Sequence, residues 1–279
     1  MLIQLFRVRQ WYKNLLVFLP LVFVGLATDE KSILLSILAF FALCMMSSVN
    51  YIINDIIDRE KDKVHPEKKE RPLASGKISL WTAGTLAGIL AVVSLSIGIV
   101  LSFSFFLILL LFFFLTLLYS VYFKEELFAD TLFIAVNFVL RAAAGAYVLH
   151  VRISPWLIVC TFFLSFFIAV GKRRAEYKFL EEKAPVHKKV LASYGENITG
   201  MLMAVATTAL LMSYSLYSFL SVYPHLIYTL PFAFYVILRY LFLVESASVI
   251  ARSPEYFYKD TRLITGIALW CLAVLVVIY

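Results

Sequence analysis

Long apolar runs, broken by short polar stretches, follow one another along almost the whole chain. A run of about 20 mostly apolar residues is long enough to cross a bilayer as a helix. Nine segments approach or meet that length: 14–27, 33–53, 79–101, 104–122, 129–149, 154–171, 200–221, 225–244 and 262–279. The first is short and carries Pro20, and Arg7, Arg9 and Lys13 precede it as they would a signal peptide. No small-residue cleavage site follows, so it reads as a retained helix. The pattern predicts an all-α polytopic membrane protein with nine transmembrane helices, folded as a single domain over residues 1–279.

Composition strengthens this reading. Only 15% of the 279 residues are charged while 62% are hydrophobic, against about a quarter charged in soluble domains. The 16% aromatic content suits lipid-facing and interfacial anchoring. Charge then sets an expected orientation. With a cytoplasmic N-terminus, all Lys and Arg except Lys31, Arg141, Arg152 and Arg239 fall in inside segments, as the positive-inside rule requires. The C-terminus then lies outside, and the plasma membrane is the expected location. All 18 acids except Asp29 and Glu30 are also inside, which the rule does not demand. Chemistry is the first explanation to test for them.

Several features carry no chemistry. Cys44, Cys160 and Cys271 sit far apart in separate spans and suggest neither disulfides nor a metal cluster. The histidines at 65, 150, 187 and 225 have no ligand spacing. Gly84 and Gly88 form a GxxxG that predicts a helix-packing contact. The long charged loops follow the second and sixth spans, which suggests two four-span halves and a ninth helix.

The stretch NDIIDREKD, residues 54–62, continues the second span. Asp55, Asp58 and Asp62 are spaced i, i+3, i+7, and Asn54, Asp58 and Asp62 are spaced i, i+4, i+8, so on one continuous helix they share a face. Carboxylates gathered this way repel unless a cation joins them, and hard oxygen donors suit magnesium (Mg2+), commonly shared with substrate phosphates. The plain alternative is a solvated charge run paired with Arg59, Lys61 and Lys63. The helical register of the acids and the amide at the membrane edge favour the functional reading. Downstream, ERPLASGKIS turns the chain back and presents Arg71 and Lys77, cations suited to diphosphate oxygens or to ordinary membrane anchoring.

NDIIDREKD matches the NDxxDxxxD signature of the UbiA-type intramembrane prenyltransferase superfamily, and RPLASGKIS resembles the segment that follows it there. The resemblance extends over essentially the whole chain. It implies helices around a central cavity open to the cytoplasmic side, with Asp55, Asp58 and Asp62 holding Mg2+ and a diphosphate leaving group. Where aromatic-acceptor members carry a second aspartate motif, this chain has GKRRAEY, residues 171–177, in which Lys172, Arg173 and Arg174 leave only Glu176 as an acid. RVRQWYKN (7–14) resembles the RPRQWxKN entry of decaprenyl-phosphate phosphoribosyltransferases, with Val8 in place of the usual Pro. The segments 117–146 and 239–264 resemble theirs as well.

Those segments supply further expected site residues. Arg141 lies inside a span, where a cation costs about 2.5–3.5 kcal/mol on insertion scales unless it faces a polar cavity, so an anion ligand is the better reading. Lys13, Asn14, Tyr119, Lys124 and Asp130 fall at the cytoplasmic ends of spans and are expected to line the same cavity. Arg239 raises the mid-span question without a motif to name its partner; Tyr194, Glu245, Glu255 and Asp260 rank below these. The resemblance implies transfer of 5-phosphoribosyl from 5-phosphoribosyl diphosphate to a polyprenyl phosphate, as in cell-envelope glycolipid precursor synthesis. Lys172, Arg173 and Arg141 would then position phosphates. Neither nucleic acid nor any cofactor besides Mg2+ is expected. Two alternatives stand beside it: a UbiA-type aromatic prenyltransferase using a prenyl diphosphate, and, from another class, an anion transporter.

Overall fold

The computed structural model describes residues 1–64, 68–180 and 195–279, and among these it contains helices and no strands. Among the described residues, eight helices are long and apolar enough to cross a membrane. Their helical cores are α1 (Glu30–Ile57), α2 (Leu80–Leu101), α3 (Phe103–Leu118), α4 (Ala129–Leu149), α5 (Pro155–Leu180), α6 (Glu196–Leu220), α7 (Leu230–Glu245) and α8 (Thr261–Ile278). The chain is a multi-pass membrane protein.

Local chemistry starts several of these helices where the sequence places an N-cap residue. The Asp29 carboxylate accepts from the Ser32 N–H at 2.8 Å, and the Ser79 hydroxyl accepts from the Thr82 N–H at 3.0 Å. Ser102 ends α2 and caps α3 at once, so that hairpin turns on a single residue. The turn brings α2 so close to α3 that a Cβ on Gly98 would stand 2.8 Å from Leu109 Cδ1.

The predicted span at 14–27 takes a different form. Val8–Phe18 is a 3-10 helix, entered through Arg7 in the left-handed region (φ 48°), and Leu19–Phe23 is a short α-helix with Pro20 in its first turn. At a rise of about 2.0 Å per residue, 3-10 geometry covers more length per residue than an α-helix, although runs beyond a few residues are uncommon. The segment packs closely on α4, where a Cβ on Gly145 would lie 2.0 Å from the Val17 carbonyl oxygen.

The chain groups into two compact units, which differ from the suggested four-span halves because the division falls inside α4. Unit 1 comprises residues 1–122 and 140–152. Its core packs Leu43, Met46, Val49 and Ile52 of α1 with Ala83 and Ala87 of α2 and Phe105, Leu109 and Phe112 of α3. Unit 2 comprises residues 123–139 and 153–279. Its core joins Phe166, Phe167 and Val170 of α5, Met203, Ala206 and Leu210 of α6, and Ile237, Leu243 and Val244 of α7. Apolar side chains such as Val92, Val100, Phe114, Val205 and Phe219 face outward, as lipid contact requires. The Gly84–Gly88 face is likewise open, with nothing within 4 Å of an added Cβ at either position, so the expected helix-packing contact is not made among the described residues.

Candidate active site

The acidic stretch does not run as one continuous helix. α1 ends at Ile57, Asp58 adopts φ −88°, ψ 3°, and a separate short helix covers Arg59–Lys63. That break replaces the expected single face. Asp55 and Asp62, each 3% exposed, converge instead on Arg71. Arg71 Nη1 lies 3.0 Å from Asp55 Oδ1 and 2.7 Å from Asp62 Oδ2. Arg7 Nη2 approaches Asp55 Oδ1 at 2.5 Å, and its guanidinium stands 4.7 Å from the Tyr51 ring centroid. Lys68 Nζ is 4.0 Å from Asp62 Oδ1. Arg71 is held in place by the turn that follows it. Ser75 bonds back to the Arg71 carbonyl, Leu73 is buried, Gly76 takes φ 74°, and the Arg59 Nε–H donates to the Leu73 carbonyl at 3.4 Å. Asn54 and Asp58 are half-buried beside this cluster, whereas Lys77 is exposed.

Among the described residues, no three His, Cys, Asp or Glu side chains stand close enough to hold a metal ion together. The expected three-carboxylate set is therefore not assembled here, because the break at Asp58 gives Asp55 and Asp62 a different register. The pair alone fits Mg2+ in its donor chemistry. Both are buried hard-oxygen ligands, and both already lie within 3.0 Å of one cationic nitrogen. Mg2+ is commonly held by one or two carboxylates together with waters and substrate phosphates.

A second polar group of unit 1 surrounds Arg141, which is 6% exposed. Its Nε–H donates to Asn14 Oδ1 at 2.8 Å, and its guanidinium stands 4.7 Å from the Phe112 ring centroid. Ser47 donates to the same Asn14 oxygen at 3.3 Å, while Asn14 Nδ2 donates to Cys44 Sγ at 3.2 Å. Asn14 and Arg141 are thus brought together. Lys13 lies 6.0 Å from the Tyr12 ring centroid, and half-buried Tyr119 opens a π-helical turn, Tyr119–Phe123.

The UbiA prenyltransferase family matches this chain over residues 16–259. The chain belongs to that family. Two relatives named decaprenyl-phosphate phosphoribosyltransferase are similar over most of their length. The Mycolicibacterium smegmatis protein is 34% identical over 222 residues, covering 78% of this chain and 70% of its own. The Corynebacterium glutamicum protein is 31% identical over 226 residues, covering 78% and 67%. A UbiA homologue from Archaeoglobus fulgidus, solved bound to GPP and Mg2+, shares the fold, with a TM-score of 0.74 over 99% of each chain at 20% identity. The motif resemblance to this superfamily is borne out. The protein is an enzyme of a transferase family, and the transporter reading loses its footing.

Unit 2 of this UbiA family member arranges the GKRRAEY stretch in a way the sequence did not suggest. Consecutive positions on α5 point about 100° apart, so three adjacent cations cannot act as one patch. Arg173 is buried and donates to Asp130 Oδ2 at 2.8 Å and to Glu176 Oε2 at 3.0 Å. Lys172 lies 3.9 Å from Glu176 Oε1. Arg174 instead meets Glu245 at 2.5 Å, and Lys178 pairs with the same carboxylate. Asp130 is fully buried, with Oδ1 accepting from the Thr131 N–H at 2.8 Å. Lys124 is half-buried in the loop before α4. Arg239 finds the partner that no motif named: Asp260 Oδ2, at 2.7 Å. Tyr194 lies outside the described residues.

Two residues escaped the sequence reading. Arg7, by its position a topology charge, meets Asp55; its place in RVRQWYKN is the available signal. Asn50, an amide one helical turn before Asn54, is hidden within an apolar run.

Proposed function

We propose that this UbiA family member transfers 5-phosphoribosyl from 5-phosphoribosyl diphosphate to a polyprenyl phosphate and releases diphosphate. The observation that carries the reading is the pair of buried carboxylates, Asp55 and Asp62, joined by Arg71 in a chain similar over most of its length to named phosphoribosyltransferases. Asp55 and Asp62 would hold Mg2+, with Asn54 and Asp58 beside them at the helix break. Bound there, Mg2+ would neutralise charge on the diphosphate and make it a better leaving group from the anomeric carbon. Arg71 and Arg7 balance the two carboxylates and would bind diphosphate oxygens once the donor arrives, with Lys77 exposed beside them. Arg141, within a span and bonded to Asn14, would serve a phosphate group of the donor or the lipid. The acceptor phosphate is already ionised at pH 7, so the transfer needs no general base. Arg173, already paired with Asp130 and Glu176, is better read as holding unit 2 together than as the phosphate ligand expected of it. The charge pattern supports a cytoplasmic location for the cluster, where a soluble sugar donor would reach it.

Purified protein with Mg2+ and both substrates is expected to release diphosphate and form the ribosylated lipid, detected by mass spectrometry, and a chelator is expected to abolish both. Tight binding of a prenyl diphosphate, with indifference to the ribosyl donor, would overturn this reading in favour of an aromatic prenyltransferase.

A further inference from the structure

Asn50 is 5% exposed, and neither its Oδ1 nor its Nδ2 has a hydrogen-bond partner among the described residues. A buried amide with both ends unpaired loses its hydration and recovers nothing within the folded chain. A leucine would fill a similar volume without that loss. The position on α1 gives the amide its meaning. Ser47, Asn50 and Asn54 are spaced i, i+3, i+7 and form one stripe of the helix. Towards the N-terminal side, Ser47 bonds the Asn14 that also receives Arg141. Towards the C-terminal side, Asp55 meets Arg7 and Arg71. From Ser47 to Asp55 the helix rises about 12 Å. Asn50 is an uncharged polar group lying between two charged ends.

We infer that Asn50 recognises the sugar of the donor, its amide oxygen accepting from one ring hydroxyl and its NH2 donating to a neighbouring one. Phosphates are served by the cations on either side, and an isoprenoid tail has no atom that could pair with an amide. A vicinal diol needs both a donor and an acceptor, which a carboxamide supplies in one planar group. The inference rests on the phosphoribosyl reading above and specifies which part of the donor this side chain touches.

The test compares full-length wild type with Asn50→Leu and Asn50→Ala, using 5-phosphoribosyl diphosphate and its 2-deoxy and 3-deoxy analogues. A site built to bond a hydroxyl discriminates strongly against analogues that lack it, so wild type should prefer the ribosyl donor by about 100-fold or more in kcat/KM. In both variants the ribosyl rate should fall to near the deoxy rate, leaving less than about a 10-fold preference. Inhibition by inorganic diphosphate with Mg2+ should be unchanged, which shows the Asp55–Asp62 end intact. The thermal midpoint of Asn50→Leu should equal or exceed that of wild type, because an unpaired buried amide has been replaced by an apolar group. Retained discrimination in the variants overturns the inference. So does an equal fall for all three donors accompanied by a lower thermal midpoint, which marks a structural residue. A wild type inactive with every ribosyl donor, yet binding prenyl diphosphate tightly, overturns the functional reading and this inference together.

Discussion

Arg71 lies between two carboxylates that are almost wholly shielded from water, and each of the three depends on the others. Removing one partner of a buried charge pair costs about 3–5 kcal/mol, mostly because the remaining charge is stranded. Arg71 is itself 27% exposed, so the lower end of that range applies, and Arg71→Ala is expected to lose about 3 kcal/mol in an unfolding measurement. If the carboxylates hold a divalent cation, Mg2+ should raise the thermal midpoint of Arg71→Ala by more than it raises that of wild type. An equal shift in both proteins would mean that the ion binds elsewhere. Asp55→Asn and Asp62→Asn, which keep shape and remove charge, are each expected to slow diphosphate release by about 10²–10³-fold, the usual cost of losing one preorganised electrostatic group. None of this pairing was visible as spacing. Arg71 is 16 residues from Asp55 and 9 from Asp62, and it reaches both only because the chain breaks at Asp58 and turns back through Leu73 and Gly76.

Helices begin and end by local rules, and here the element scale was largely legible. Asp29, Ser79, Ser102 and Asp260 stand immediately before apolar runs, and each accepts a bond from a backbone N–H at the start of its helix. Asp260 also pairs with Arg239, whose hydrogen bond is the largest influence holding the Asp260 carboxyl below its ordinary value, while burial opposes it. A depressed folded-state value favours the charged form of the folded protein. This contribution is fully present above the unfolded value of about 3.9 and is lost as pH falls through the lowered folded value. In Asp260→Asn the amide still caps α8 but cannot pair as an anion. Its stability deficit relative to wild type should therefore be constant near neutral pH and shrink below about pH 4 in thermal melts. A deficit that stays constant to pH 2 would show that charge has no part in it. Glycine positions separate by contact rather than by motif. Gly145→Ala places a methyl against the Val17 carbonyl and is expected to destabilise by about 3 kcal/mol, whereas Gly84→Ala meets open space and should be near neutral or stabilising. The two glycines are indistinguishable in hydropathy. The 3-10 form of Val8–Phe18 was equally hidden, because its apolar content is compatible with either helix type and its close approach to α4 is a long-range contact.

Across the whole molecule, apolar side chains cover the outside and most of the charge collects in the connections between helices, as a bilayer demands. The proposed orientation can be checked on exposed Lys77. In a background with Cys271, the exposed cysteine, changed to Ser, Lys77→Cys should react with a membrane-impermeant thiol reagent only from the cytoplasmic face. Labelling from the opposite face would invert the topology and remove the cluster from the compartment of a soluble donor. Each of the two compact units has its own core and its own charge pairs. Arg173 with Asp130 in unit 2 is the counterpart of Arg71 with Asp55 and Asp62 in unit 1.

From the sequence alone came the membrane class, the all-helical fold, the approximate spans, the superfamily and the stretch of chain that carries the acids. Those follow from hydropathy run lengths, cap residues and a motif, all of which are local and survive without knowledge of any contact. Tertiary structure decided which polar groups meet: Arg7 and Arg71 with Asp55, Arg141 with Asn14, Arg173 with Asp130, Arg239 with Asp260, and Asn50 with none among the described residues. A buried charge takes its partner from whatever the folded backbone brings within about 3 Å, and that depends on helix breaks and turns far along the chain.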